Sequence, residues 1–210
     1  MYYNRNNETN DILVAVLILT IAFTLMITGG ISRIVRYNTA SIELAGLTGF
    51  AVTVTAFLMH EMAHRAVARR LGAVAFFKLW PAGVLIALVT SMFGFLFGAP
   101  GAVEFAGLYD QESEGKIALA GPATNIVLGL IFYILYLILS FPSMFILEFI
   151  LFYVALLNLW FALFNLLPIP PLDGSKIFYW NSKLYAAIFI LVIVLNFVDG
   201  LIPLFLGIHL

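Results

Sequence analysis

Long apolar runs alternate with short polar connectors along this chain. The runs at residues 12–31, 42–71, 117–139, 145–167 and 184–202 each approach or exceed the ~20 residues that cross a hydrocarbon core at ~1.5 Å per residue. Each is expected to be a spanning helix. The first ends at Gly29-Gly30, and the second, longer than a bilayer requires, carries Gly46 and Gly49 for close packing on a neighbour. The run at 81–98 is different. It is apolar, but Pro81 and Pro100 bound it and Gly83, Thr90, Ser91 and Gly94 interrupt it, so a re-entrant or partly inserted segment is expected near 81–105. Residues 103–116 are the most polar interior stretch, with Glu104, Asp110, Glu112 and Glu114. After Pro100-Gly101, the triplet Val103-Glu104-Phe105 can offer an edge strand to an extended peptide.

Composition turns this pattern into a class. Of 210 residues, 63% are hydrophobic and 10% charged, and mean hydropathy is +1.08. A water-soluble domain of this size cannot bury that much apolar surface. The expectation is an all-α polytopic membrane protein with about five to six transmembrane helices. It is expected to form one membrane domain over 1–210, with a core at about 43–176 and no soluble PDZ-like or other accessory domain. A net charge of −1 supplies no basic field for nucleic acid. With no cysteine there are no disulfides and no thiolate ligands, so a bound metal must use His, Asp, Glu or water. No basic run precedes the first apolar stretch and no small-residue cleavage site follows it, so a retained helix is expected there. Arg65, Arg69 and Arg70 close the second span and assign that end to the cytoplasm, while Arg33 and Arg36 argue less strongly for the reverse.

Candidate chemistry lies in the last third of the second span, His60-Glu61-Met62-Ala63-His64. Four helical residues turn through about 400°, so both imidazoles leave one face about a turn apart. Two neutral imidazoles there can bind one Zn²⁺, with Glu61 beside them to act on an activated water. The bland alternative is two histidines bonded to neighbouring helices, with Glu61 paired to Arg65 one turn on. Ionisable groups inside a membrane are costly, which favours a functional site. Zinc needs a further ligand, and the acids and imidazoles available are Glu148, Asp173, Asp199 and His209. Asp173 is preferred. It follows Pro168, Pro170 and Pro171, which break the helix, and it precedes Gly174, so it sits on irregular backbone that must line a cavity or be buried in protein.

His60–His64, the segment Gly121-Pro122-Ala123-Thr124-Asn125 and the run from Asn165 to Gly174, in this order on membrane helices, resemble the site-2 protease family of intramembrane zinc metalloproteases. The resemblance covers about residues 57–176. It implies one zinc per chain held by His60, His64 and Asp173, with Glu61 as general base. It implies that Asn158 assists the tetrahedral intermediate or holds a substrate strand. Gly121 and Asn125 would pack against the metal helix, and Asn165 would order the loop before Asp173 or act at the site. The implied activity is hydrolysis of peptide bonds in membrane-embedded helical proteins that carry a helix-breaking segment, within a multi-pass protein of the cell membrane whose site faces the cytoplasm. The competing reading is a non-proteolytic metal-binding membrane protein, either a transporter or an inactive relative that binds membrane helices.

A shared metal also constrains topology. The spans ending near Leu71 and Leu167 must finish on one side, and three full crossings between them would forbid it. One of the three segments therefore fails to cross or a further crossing exists. The 81–98 segment, the one most broken by Gly and Pro, is expected to be the one that does not cross, as a re-entrant hairpin, a partly inserted loop or a pair of short helices.

Overall fold

A computed structural model describes residues 5–98, 100–139 and 142–197. The first helix, α1 (Arg5–Ile27), begins earlier than the apolar run because Glu8 and Asp11 find partners inside the protein. A short turn of helix, α2 (Ile31–Ile34), leads to α3 (Thr39–Val52), whose Asn38 side chain caps the Ser41 N–H at 2.8 Å. A six-residue π-helical turn, Thr53–Leu58, joins α3 to α4 (Met59–Arg70), so that Thr39–Arg70 forms one 32-residue helix. Within that turn the Met59 N–H bonds back five residues to the Val54 carbonyl. One extra residue per turn rotates everything beyond it by about 100°, which decides where the histidine face points.

Strand β1 (Val74–Leu79) follows, then α5 (Pro81–Ser91), β2 (Gly101–Ala106) and α6 (Gln111–Leu139). After a turn at Pro142–Met144 come α7 (Phe145–Asn165), α8 (Asp173–Trp180) and α9 (Ser182–Phe197). Among the described residues four helices are long and apolar enough to cross a membrane: α1 from Asn7 to Ile27, the Thr39–Arg70 helix, α6 and α7. The expected five to six spans are therefore represented by four such helices and the shorter apolar α5 and α9 among the described residues. The expected end of the last span at Ile202 lies outside those residues, as do Asp199 and His209.

The described fold is helical except for one antiparallel pair, in which β1 and β2 run in register from Val74↔Ala106 to Leu79↔Gly101. This pair settles the path of 81–98. The Trp80 N–H donates to the Pro100 carbonyl at 2.8 Å, so the segment returns to the place it left and does not cross. It is one short helix, α5, with an irregular return. At its tip the Ile31 N–H donates to the Met92 carbonyl at 2.9 Å, which pins the far end of the excursion to the end of α1. On the way back the Phe97 N–H donates to Thr90 Oγ1 at 3.0 Å, meeting a backbone group that apolar surroundings would leave unpaired.

The core follows the close approaches. A Cβ on Gly49 would come within 2.8 Å of Thr24 Oγ1 and 2.9 Å of the Thr20 carbonyl, so α3 and α1 meet there as expected, whereas Gly46 faces open space. Phe57 and Phe77 pack edge to face at 5.8 Å between centroids and tie the π-helical turn to β1. Both are almost fully buried.

Candidate active site

His60 and His64 project from one face of α4, as their spacing demands, with Nε2 atoms 2.9 Å apart. The chain breaks after α7 at the proline-rich turn and re-enters as α8, whose first residue is Asp173. Its Oδ2 lies 3.3 Å from His60 Nε2 and 3.1 Å from His64 Nε2. All three side chains are buried. Donors about 2.0–2.1 Å from a tetrahedral zinc lie about 3.3 Å from one another, so this triangle has zinc's size and leaves a fourth position open.

The protons say the same. His64 Nδ1 lies 2.7 Å from the Ile117 carbonyl, which can only accept, so Nδ1 carries the hydrogen. Asn158 Nδ2 donates to the Val154 carbonyl (2.8 Å) and to Thr55 Oγ1 (3.0 Å). Its Oδ1 therefore accepts from Asn125 Nδ2 at 3.0 Å. The other Asn125 amide hydrogen goes to the Ala56 carbonyl, in the π-helical turn, at 2.9 Å. That leaves Asn125 Oδ1 to accept from His60 Nδ1. Both Nε2 atoms are thus bare lone pairs aimed at each other and at a carboxylate, three acceptors with no donor among them. Such a set fits a cation.

Gly121 earns its place by contact. A Cβ there would collide with the Nε2 atoms of both His64 and His60. Pro122 sits inside α6 directly after it. Asn125, one turn on, is fully buried. Replacing it with alanine removes the acceptor that fixes the His60 ring. Zinc affinity of Asn125→Ala is expected to fall about 10–100-fold, measurable by competition with a chelator.

Glu61 is 8% exposed, and its Oε2 accepts from the Val103 N–H of β2 at 3.0 Å. The alternative pairing of Glu61 with Arg65 is not present, because Arg65 Nη2 bonds Glu8 Oε2 at 2.8 Å. A cavity of about 370 Å³ opens on Glu61, the three converging ligands, Val103 and Asn165. Asn165 Nδ2 donates to the Phe161 carbonyl at 3.0 Å, which holds the side chain at the cavity wall. Asn158, expected to assist the tetrahedral intermediate or hold a substrate strand, is fully buried behind Asn125, with its amide hydrogens and oxygen committed to protein partners. It orients Asn125 and through it His60. Glu148 stands in the first turn of α7, seventeen residues and about 25 Å from its site end, so it supplies no ligand. Thr55, Ala56 and the Ile117 carbonyl were not foreseen. Only Thr55, a hydroxyl in an apolar span, carried any signal.

No protein-family model matches the chain, and no solved structure does. Curated relatives do match. The chain is 41% identical over 138 residues to a protein named putative zinc metalloprotease MJ0611, from Methanocaldococcus jannaschii, covering 63% of this chain and 69% of that one. It is 33% identical over 138 residues to putative zinc metalloprotease Rip3 of Mycobacterium tuberculosis, covering 64% of this chain but only 30% of Rip3. It is 31% identical over 144 residues to putative zinc metalloprotease YwhC of Bacillus subtilis, covering 59% of this chain and 64% of that protein. With long apolar helices and a buried His–His–Asp set that can hold a metal, the chain belongs to the site-2 protease family of zinc metalloproteases.

Proposed function

We propose that this protein hydrolyses peptide bonds of membrane-embedded helical proteins, using one zinc held by His60, His64 and Asp173 and using Glu61 as general base. One observation carries the reading. Three acceptor atoms of zinc-binding type converge within 3.3 Å of one another beside a buried carboxylate, at the end of a helix long enough to span. Zinc, when bound, supplies Lewis acidity that acidifies water and polarises the scissile carbonyl.

The chain's own groups do the rest. Glu61 accepts the proton of the attacking water and returns it to the departing amine. The Asn125–Asn158–Thr55 relay behind His60, and the Ile117 carbonyl behind His64, hold both rings in the tautomer that keeps Nε2 free. Asn165, at the cavity wall, is the carboxamide that can steady the developing oxyanion, and Asn158 takes the positioning role. The outer edge of β2 faces Glu61 and can accept an unwound substrate as a further strand, so that main-chain hydrogen bonds supply binding. A closed helix hides its carbonyls in its own hydrogen bonds, so substrates must unwind locally.

The site faces the cytoplasm on this reading. Lys78, Lys116, Lys176 and Lys183 join the Arg65–Arg70 cluster at the site end, against Arg33 and Arg36 at the other. That balance survives the finding that Arg65 and Arg69 are engaged within the fold.

The test is a pair of single-span substrates co-reconstituted with the purified protein in lipid vesicles, one with a Gly-Pro break in its span and one with a continuous Leu-Ala helix. Cleavage of the broken helix at a rate at least tenfold higher supports the proposal, since Gly and Pro cost a helix about 1 and 3 kcal/mol. Equal cleavage of both, or of neither, opposes it.

A further inference from the structure

The two edges of the β1–β2 pair are treated differently. On the outer edge of β1, residues 75, 77 and 79 turn their backbone groups outward. Three of those groups, the Ala75 carbonyl and the Phe77 and Leu79 N–H groups, have side-chain partners. Arg69 donates to the Ala75 carbonyl from Nε at 3.0 Å and from Nη2 at 2.7 Å. The Phe77 N–H donates to Glu8 Oε1 at 3.0 Å, and the Leu79 N–H donates to Asp11 Oδ2 at 2.8 Å. Glu8 and Asp11 are three residues apart on α1 and so share a face. Strand N–H groups two residues apart recur about every 6.8 Å and residues three apart on a helix rise about 4.5 Å, so the two flexible side chains make up the difference. The carboxylates stand where a third strand's carbonyls would be.

Glu8 does more. It is 6% exposed, and its second oxygen, Oε2, bonds Arg65 Nη2 at 2.8 Å, one residue beyond His64 on the metal helix. One buried carboxylate therefore joins α1, β1 and α4. Burying such a group is unfavourable unless it is paired and hydrogen-bonded, and here it is both. On β2 the corresponding outward N–H of Val103 donates to Glu61, so the other edge faces the reacting groups.

We propose that Glu8 and Asp11 are positioning residues: they close the outer edge of β1 as a surrogate strand, and the Glu8–Arg65 pair sets the sheet against the metal helix so that β2 alone receives the substrate, level with Glu61. The inference rests on the protease reading and adds what directs and aligns the substrate. An open β1 edge would let a peptide pair on the side away from the metal, where pairing is unproductive.

The experiment uses the full-length, zinc-loaded protein in lipid vesicles with the helix-broken substrate. Glu8→Ala is expected to raise KM about tenfold and to leave kcat within about twofold, because lost alignment of a strand is lost substrate binding. Its zinc content stays at the wild-type value. Glu8→Gln, whose carboxamide oxygen still accepts from Phe77 but whose amide nitrogen replaces the acceptor facing Arg65, keeps the edge closed and loses the pair, so its KM falls between those of wild type and Glu8→Ala. Amide exchange at Phe77 and Leu79, measured without substrate, speeds up in Glu8→Ala and not in Glu8→Gln. If Glu8→Ala does not fold, Asp11→Ala, which leaves the Glu8–Arg65 pair intact, carries the test with a KM increase of about threefold to tenfold. Unchanged kinetics in the alanine variants beside an active wild type overturn the inference. So does loss of zinc together with activity. Absence of turnover in the wild type, by contrast, overturns the protease reading on which it depends.

Discussion

Glu61→Gln is expected to keep its zinc and lose peptide hydrolysis by at least about 10²–10⁴-fold, the range that positioned general bases contribute. The substitution is nearly isosteric, and the carboxamide oxygen can still accept from the Val103 N–H that Glu61 Oε2 now engages at 3.0 Å. Glu61 is no part of the metal-holding triangle, whose atoms are His60 Nε2, His64 Nε2 and Asp173 Oδ2. Metal content and fold should therefore be unaffected, and the loss should fall on kcat. Single-turnover cleavage of the helix-broken substrate, with zinc measured on the same sample, reads both quantities. A metal-binding protein without proteolytic function would show no difference between variant and wild type. Retained cleavage in the variant would exclude Glu61 as the base.

The second large effect is expected from Gly121→Ala. Helix propensity alone favours alanine by about 1 kcal/mol at an interior position, so a plain packing site would gain or stay neutral. Here the new methyl group would collide with the Nε2 atoms of His60 and His64, the two atoms that must turn toward the metal. Relief requires either a shift of α6 away from α4 or rotation of both rings off their Asn125 and Ile117 partners, and overpacking of this kind costs about 1–3 kcal/mol. Zinc affinity should fall about 5–150-fold by chelator competition and activity at limiting zinc should fall with it, while helix content by circular dichroism remains. Wild-type zinc binding in Gly121→Ala would mean that α6 does not close on the histidines as described.

The two substitutions probe opposite kinds of residue, and the sequence exposes them unequally. His60, Glu61 and His64 are legible because helix geometry is local, and residues four apart must share a face. Asp173 is legible because three prolines forbid helix before it, and irregular backbone at membrane depth must be buried or line a cavity. The non-crossing excursion of 81–98 follows from counting sides, and the Trp80–Pro100 hydrogen bond bears it out. The misses share a cause as well. β1 has a period of two, with Ala75 and Phe77 buried between the more exposed Val74, Phe76 and Lys78, but six residues in an apolar chain are too few for that alternation to stand out. Glu8 lay in a polar N-terminal stretch with nothing local to say that it is buried, because its partners are 57 and 69 residues away. Asn158 resembles a site residue in its position along the chain. Which neighbour its carboxamide meets depends on how α7 rotates against the π-helical turn, and no spacing in the sequence records that turn.

The buried carboxamides Asn125 and Asn158 lie where the site needs orientation, while Thr28, Thr48, Ser91 and Asn196 are buried elsewhere in the fold. His60, Asn125, Asn158 and Thr55 form a directed series in which each donor hydrogen has one acceptor, so reversing one amide would leave two groups facing unpaired. The series runs through the π-helical turn, α7, α6 and α4 and ends on one ring nitrogen, His60 Nδ1.

The central claim is that a zinc at His60, His64 and Asp173 drives peptide hydrolysis. The most direct measurement is zinc per chain and cleavage rate on the same purified wild-type protein in lipid vesicles, taken through stepwise chelation and re-addition of zinc. The expected result is one zinc per chain at full activity, a rate that falls in proportion to occupancy, and recovery on re-addition. Undiminished cleavage by zinc-free protein, or one bound zinc with no cleavage of any helix-broken membrane substrate, would contradict it.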